Sequence, residues 1–305
     1  MSAGGGTRAV VAALGANLGI AATKFLAFGL TGSSSMLAEA IHSVADSGNQ
    51  VLLLVGGARA RRTATERHPF GYGRERYIYA FIVSIVLFSV GGLFAVYEGV
   101  HKIQNPEAIE SWHWVPVTVL LIAIALESFS FRTAIAETNQ IRGDASWAQF
   151  VRRARAPELP VVLLEDFAAL IGLVLALLGV GLTLITHNGL FDGLGTLAIG
   201  VLLVLVAGVL AVETKSLLIG ESATELQVAA IEAALVGTGP VERVIHLRTM
   251  HLGPEELLVA AKIAVPGAVT AAEIATTIDA AEQRVRAAVP IARLIYLEPD
   301  IDRGA

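Results

Sequence analysis

Apolar residues in this chain gather into six blocks, each about as long as a helix needs to cross a bilayer, and no other property limits its fold so tightly. An α-helix rises 1.5 Å per residue, so roughly 20 apolar residues match about 30 Å of hydrocarbon. The blocks predict spans over 9–30, 34–58, 77–100, 114–135, 159–184 and 194–212. They account for a hydrophobic content of 54% with 16% charged residues, where soluble domains carry about 25% charged. In hydrocarbon every backbone N–H and C=O must be satisfied internally, and helices do this within a single segment. The expected architecture of residues 1–216 is therefore an all-α membrane bundle of six helices. The first block exceeds the h-region of a signal peptide and no basic n-region precedes it, so it is expected to stay as a span.

Basic residues set the orientation. Arg59, Arg61, Arg62, Arg67, Arg74 and Arg76 follow the second block; Arg132, Arg142, Arg152, Arg153 and Arg155 lie at the end of the fourth or before the fifth. The links at 31–33 and 186–191 hold no Lys or Arg, and the link after the third block holds Lys102 beside Glu107 and Glu110. By the positive-inside rule both termini and the two Arg-rich loops face the cytoplasm. With no targeting segment visible, the expected location is a prokaryotic plasma membrane.

Beyond Lys215 the pattern changes. Ser222 and Glu225 have capping-box spacing and predict a helix to about 235, ended by Gly237-Thr-Gly-Pro240. Residues 241–250 and 257–265 read as strands joined by a turn at Gly253-Pro254. A second capping box, Thr270 with Glu273, predicts a helix to about 288, and 291–297 reads as a third strand. The order αββαβ describes a small α+β, ferredoxin-like cytoplasmic domain over 217–305.

The net charge of −5 and the lack of a basic tail argue against a nucleic-acid partner; membrane lipids are the expected surroundings. With no cysteine, only His, Asp and Glu remain as strong metal ligands. His42 and Asp46 stand four apart inside an apolar block, so a helix places them on one face. An ionised carboxylate there is costly unless compensated, which marks the pair as a functional site. Imidazole nitrogen with carboxylate oxygen suits Zn²⁺, with Mn²⁺, Fe²⁺ or Co²⁺ as alternatives; the bland reading is that the pair bonds to other helices. Glu165 and Asp166 lie in the fifth block, about 100° apart on a helix, so one of the two is expected to aim at an ion. Glu127 in the fourth block is a further candidate, with Arg132 as its competing partner. Glu39 either orients the His42 imidazole or faces outer water. Lys24 lies deep enough in the first block to need a partner, which the sequence does not name. Asp192 reads as a helix-start residue, and Thr196 with Gly200 as a close-packing pair.

Several of these motifs together resemble the cation diffusion facilitator family. Asn17-Leu-Gly-Ile through Lys24, and Leu30-Thr-Gly-Ser through His42-Ser-Val-Ala-Asp46, are similar to its first two spans. His68-Pro-Phe-Gly-Tyr-Gly-Arg74 looks like the loop that follows them, and Leu163-Leu-Glu-Asp166, Phe191-Asp-Gly-Leu-Gly-Thr196 and Glu127 look nearest to the zinc-transporter-nine-like branch. The resemblance covers nearly the whole chain. It implies export of Zn²⁺ and related ions from the cytoplasm by proton exchange, usually by a homodimer. It also implies His42, Asp46 and Asp166 as ligands, while the position of a fourth, a histidine in the family, falls on Val162. Glu127 or Glu165 is left to supply an oxygen in its place, and Glu165 also reads as a proton carrier. The loop site retains His68 but has Tyr72 for its second histidine. The ligand positions of the soluble domain fall on Ile245, Lys262, Tyr296 and Glu298, so no binuclear zinc cluster is expected there. His246 and His251, five apart on a strand, read as ordinary polar positions.

The expectation is a secondary metal/proton antiporter with no enzymatic chemistry; no His-Glu-x-x-His, P-loop or Gly-x-Ser-x-Gly is present. Its rival is a membrane-bound regulatory or scaffold protein that binds metal without moving it.

Overall fold

The computed structural model describes residues 4–31, 34–106, 114–237 and 239–301. Glu107, Glu110 and His113, in the link after the third span, lie outside the described residues. Two compact units emerge: residues 1–58 with 76–215, and residues 59–75 with 216–305.

The first unit is helical. Its elements are α1 (Gly4–Thr31), α2 (Ser34–Ala60), α3 (Glu75–Val86), a π-helical turn (Leu87–Leu93), α4 (Phe94–Gln104), α5 (Trp114–Arg142), α6 (Trp147–Arg153), α7 (Glu158–Thr186) and α8 (Leu190–Ile219). The segments Glu75–Gln104, Trp114–Arg142, Glu158–Thr186 and Leu190–Ile219 are each long and apolar enough to cross a membrane. Helices α1 and α2 cover the first two predicted spans; α2 mixes its apolar residues with buried Glu39, His42, Asp46, Asn49 and Gln50. Large apolar side chains such as Phe129, Ile185, Leu205 and Val212 point outward from their helices, a surface that suits lipid and not water. Inside, Ile20, Val83, Leu87, Leu120, Leu173 and Leu203 share one core.

Two local features depart from the sequence reading. The third span is not a uniform α-helix, because the π-helical turn interrupts it. Ser89 Oγ donates back to Ile85 O, 2.7 Å away, and the adjacent Gly91-Gly92 pair puts no Cβ in the way of a widened turn. The link between the fourth and fifth spans contains α6, opened by a capping box in which Ser146 and Gln149 bond reciprocally. Buried Phe150 seats this helix against Leu159.

Close packing relies on glycine where α4 meets α8. A Cβ on Gly200 would stand 2.5 Å from Val96 N, and one on Gly99 2.5 Å from Leu197 N, so the two backbones touch. Asp192, in the first turn of α8, pairs with Lys102 of α4 at 2.8 Å. At the C-terminal end of α7, His187 takes a left-handed conformation (φ 55°) and stops the helix.

In the second unit α9 (Glu225–Val236), β1 (Arg243–Gly253), β2 (Glu256–Ala264), α10 (Ala271–Ala288) and β3 (Ala292–Asp300) follow the predicted αββαβ order. The sheet order is β1-β2-β3, with β1 and β2 antiparallel and β2 and β3 parallel across α10. Ile231, Leu235, Leu257, Val259, Ile263 and Val285 form its core. The cap of α10 is the predicted Thr270–Glu273 box, but that of α9 is Thr224 with Gln227, two residues past the Ser222–Glu225 expectation. Lys262 Nζ lies between Glu298 Oε1 (3.1 Å) and Asp300 Oδ2 (2.9 Å). His246 is exposed whereas His251 is buried, with Nδ1 3.3 Å from Gly253 O. The His68 ring packs on Tyr72, with centroids 4.8 Å apart.

Candidate metal centre

The polar residues of the helical unit converge on α2 and its neighbours. One turn of α2 separates His42 from Asp46, and Nε2 lies 3.3 Å from Oδ2 without hydrogen-bond geometry. His42, Asp46, Glu127, Glu165 and Asp166 are all buried, with exposures between 1% and 4%. Asp46 lies within electrostatic reach of Glu165, Glu127 and Asp166, so the carboxyls of α2, α5 and α7 act on one another.

Glu165 and Asp166 diverge as neighbours on a helix must, yet both turn inward. Asn49 Nδ2 of α2 donates to Glu165 Oε1 at 2.7 Å, and Ser130 Oγ of α5 donates to Asp166 Oδ2 at 2.9 Å. Each carboxylate is thus held toward a different helix. Glu127 stands one turn before Ser130 on the buried side of α5, while Arg132 is exposed. Among the described residues, no group of three or more His, Asp or Glu side chains surrounds a single point.

Several buried polar atoms lack hydrogen-bond partners: His42 Nδ1 and Nε2, Asp46 Oδ1, Asn49 Oδ1 and Glu165 Oε2. A buried polar atom left unsatisfied costs about 1–3 kcal/mol. Five such atoms along α2 and α7 are buried nitrogens and oxygens whose lone pairs or protons no protein group satisfies.

Lys24 finds its partner here. Its ammonium bonds Glu39 Oε2 at 2.7 Å and Ser43 Oγ at 3.0 Å. Glu39 therefore pairs with Lys24 and does not face outer water. Sequence reasoning did not single out Asn49 or Ser130. Asn49 was findable as a polar residue three after Asp46, on its face of α2; Ser130, three after Glu127, gave no such signal, because a serine there can equally bond its own backbone.

A helical membrane unit with a buried array of nitrogen and oxygen donors, followed by a small mixed-sheet domain, is the build of the cation efflux family, and this chain belongs to it. Residues 10–219 match the cation efflux transmembrane domain, and 223–300 match the cation efflux protein cytoplasmic domain. Among individual relatives, the proton-coupled zinc antiporter SLC30A9, mitochondrial, of Xenopus laevis is 38% identical over 228 residues, covering 73% of this chain and 40% of that protein. The Homo sapiens protein of the same name is 36% identical, covering 73% and 39%. Metal tolerance protein C4 of Arabidopsis thaliana is 28% identical over 251 residues, covering 81% and 54%. The chain thus spans 40% and 39% of the length of the two antiporters. The likeness falls in the branch to which Glu127 and Leu163-Leu-Glu-Asp166 pointed.

Proposed function

We propose that this protein exports a divalent cation, with zinc as its main substrate, in exchange for protons. The observation that carries this reading is the buried His42–Asp46 pair, within electrostatic reach of carboxylates from two other helices and with His42 Nδ1, His42 Nε2 and Asp46 Oδ1 unsatisfied. The relatives named as proton-coupled zinc antiporters support it.

The chemistry follows from one set of lone pairs. A metal ion needs the imidazole neutral and the carboxylates ionised, whereas a proton arriving on the same atoms expels it. His42, Asp46 and Asp166 are the central ligands. Glu165, which Asn49 ties to α2 three residues after Asp46, is our choice over Glu127 to add an oxygen in place of the missing histidine. An oxygen-rich set of this kind also admits Mn²⁺, Fe²⁺ or Co²⁺. The bundle then exposes the site to each side in turn. The Arg-rich loops, the termini and the small domain lie on the cytoplasmic side of a plasma membrane, and that domain joins two copies into a homodimer.

The test is metal flux into sealed vesicles under an imposed proton gradient. Wild type is expected to accumulate Zn²⁺, and His42→Ala, Asp46→Asn, Asp166→Asn and Glu165→Gln to lose at least about tenfold in rate, one lost ligand interaction being worth 1.4 kcal/mol or more. Glu127→Gln is expected to retain most of the rate. Binding of Zn²⁺ by wild type without flux of any of the four metals would favour a scaffold over a transporter.

A further inference from the structure

The polar contacts of α2 follow a geometric order. Asn49 of α2 meets Glu165 of α7, and Glu39 of α2 meets Gly172 of α7, where a Cβ would stand 3.3 Å from Glu39 Oε1. Residue numbers rise along one helix as they fall along the other, so the two run antiparallel. His42 and Asp46 lie between these contacts on the same face of α2. One end of the seam is closed by the Asn49–Glu165 hydrogen bond. The other is closed by Glu39, with Lys24 reaching across from α1.

That second closure is unusual for its place. Lys24 is 2% exposed and Glu39 0%, and the ammonium makes three contacts: Glu39 Oε2 at 2.7 Å, Ser43 Oγ at 3.0 Å and Glu39 O at 3.4 Å. A buried ion pair contributes little stability over an apolar pair of similar size, because desolvation offsets the attraction. Glue for α1 and α2 would need no charge. An ion pair does have one property that an apolar contact lacks: another cation can compete for its carboxylate. Glu39 Oε1 is buried and without a hydrogen bond, and Glu39 lies about one turn from His42. It is the next carboxylate that an ion leaving His42 and Asp46 toward this end of α2 would meet.

We propose that Lys24 and Glu39 form the outer gate of the seam, an ionic latch that shuts the site from the non-cytoplasmic side and opens when a departing divalent cation takes the place of the Lys24 ammonium on Glu39. The word "outer" rests on the orientation proposed above; the latch itself rests on the contacts.

The chain has no cysteine, so Ser47→Cys places a single thiol beside Asp46 at a buried position outside the proposed ligand set. The full chain carrying it is reconstituted in sealed vesicles, and a membrane-impermeant methanethiosulfonate is applied to one face at a time. Adding Lys24→Met or Glu39→Gln is expected to raise labelling from the outer face by about tenfold, the population shift that 1.4 kcal/mol of latch energy controls. Labelling from the cytoplasmic face stays unchanged. The two substitutions change the local charge in opposite directions, so a parallel rise in both reports opening and not attraction of the reagent. Exchanging the charges, Lys24→Glu with Glu39→Lys, is expected to restore slow labelling. Outer labelling within twofold of the Ser47→Cys parent in both single variants would overturn the latch. So would an equal rise from both faces, which marks loss of structure. Labelling needs no transport, so a protein that moves no metal could still show a latch, and one that moves metal could lack it.

Discussion

His42 is shaped by a residue with no side chain. Gly91, in the π-helical turn, lies where a Cβ would stand 3.6 Å from His42 Nδ1 and 3.4 Å from Leu203 Cδ1. Both are ordinary contact distances, so Gly91→Ala is expected to bind metal and transport within about twofold of wild type, the methyl fitting without displacing the ring. Gly91→Leu adds atoms for which there is no room, and overpacking of this kind costs about 1–3 kcal/mol. Its metal affinity, measured by titration calorimetry on purified protein, is expected to fall about tenfold as the imidazole is pushed aside. Equal affinities for the two variants would mean that Gly91 does not shape the site. At this scale the structure has His42 and Asp46 buried 3.3 Å apart, and their meeting on one face of a helix was legible in the sequence from their spacing of four. Ser130 was not: a serine in a membrane helix often bonds its own backbone, as Ser128 does to Ile124 O, and only tertiary contact distinguishes the two. The partner of Lys24 was hidden for a similar reason, because the pairing depends on how α1 packs on α2.

Helix starts show what local pattern can decide and where a neighbour overrides it. Both candidate caps ahead of α9 have suitable chemistry, but Ala223 N–H donates to Thr249 Oγ1 and His251 N–H donates to Glu221 O. These bonds keep 221–223 beside β1, and the helix begins only after Thr224. Ahead of α10, Thr270 with Glu273 caps the helix as the spacing predicts. The π-helical turn was illegible because its glycines and serine are equally compatible with a regular membrane helix. The two caps also differ in chemistry, since Glu273 titrates and Gln227 does not. Hydrogen bonds from the Thr270 backbone N–H, and then from its hydroxyl, hold the Glu273 carboxyl below its ordinary 4.5. A depressed carboxyl stabilises the fold above its unfolded pKa, and that contribution fades as pH falls through the lower, folded value. Amide exchange in the first turn of α10 is therefore expected to quicken as pH drops below about 4.5, relative to α9, once the intrinsic rate is corrected. Glu273→Gln is expected to make the two helix starts respond alike. A pH response at α10 that survives this substitution would place its origin elsewhere.

Across the whole molecule, the order of elements was readable because hydrophobic block length and strand–helix alternation are local signals. The extent of the second unit was not. The loop at 59–75 joins two membrane helices, yet it belongs to the unit built around the sheet. Its attachment is backbone to backbone: a Cβ on Gly73 would stand 2.8 Å from Leu252 O and 3.1 Å from Gly253 Cα, and one on Gly253 would stand 2.9 Å from Gly73 Cα. Alongside, Arg74 Nη2 lies 3.2 Å from Met250 Sδ. Two glycines pressed together leave no rotamer that relieves an added methyl, so the loop must lift. Gly73→Val and Gly253→Val act on the same contact from opposite sides and are expected to have the same effect. Trypsin cleavage at Arg59, Arg61, Arg62 and Arg67 should quicken about tenfold in each, because cleavage of a native loop follows its opening free energy and 1.4 kcal/mol is a factor of ten. The double variant should add little to either single one, since one contact cannot be lost twice. Additive increases in cleavage would show that the two glycines serve separate contacts, and the loop would then be held by the sheet in some other way.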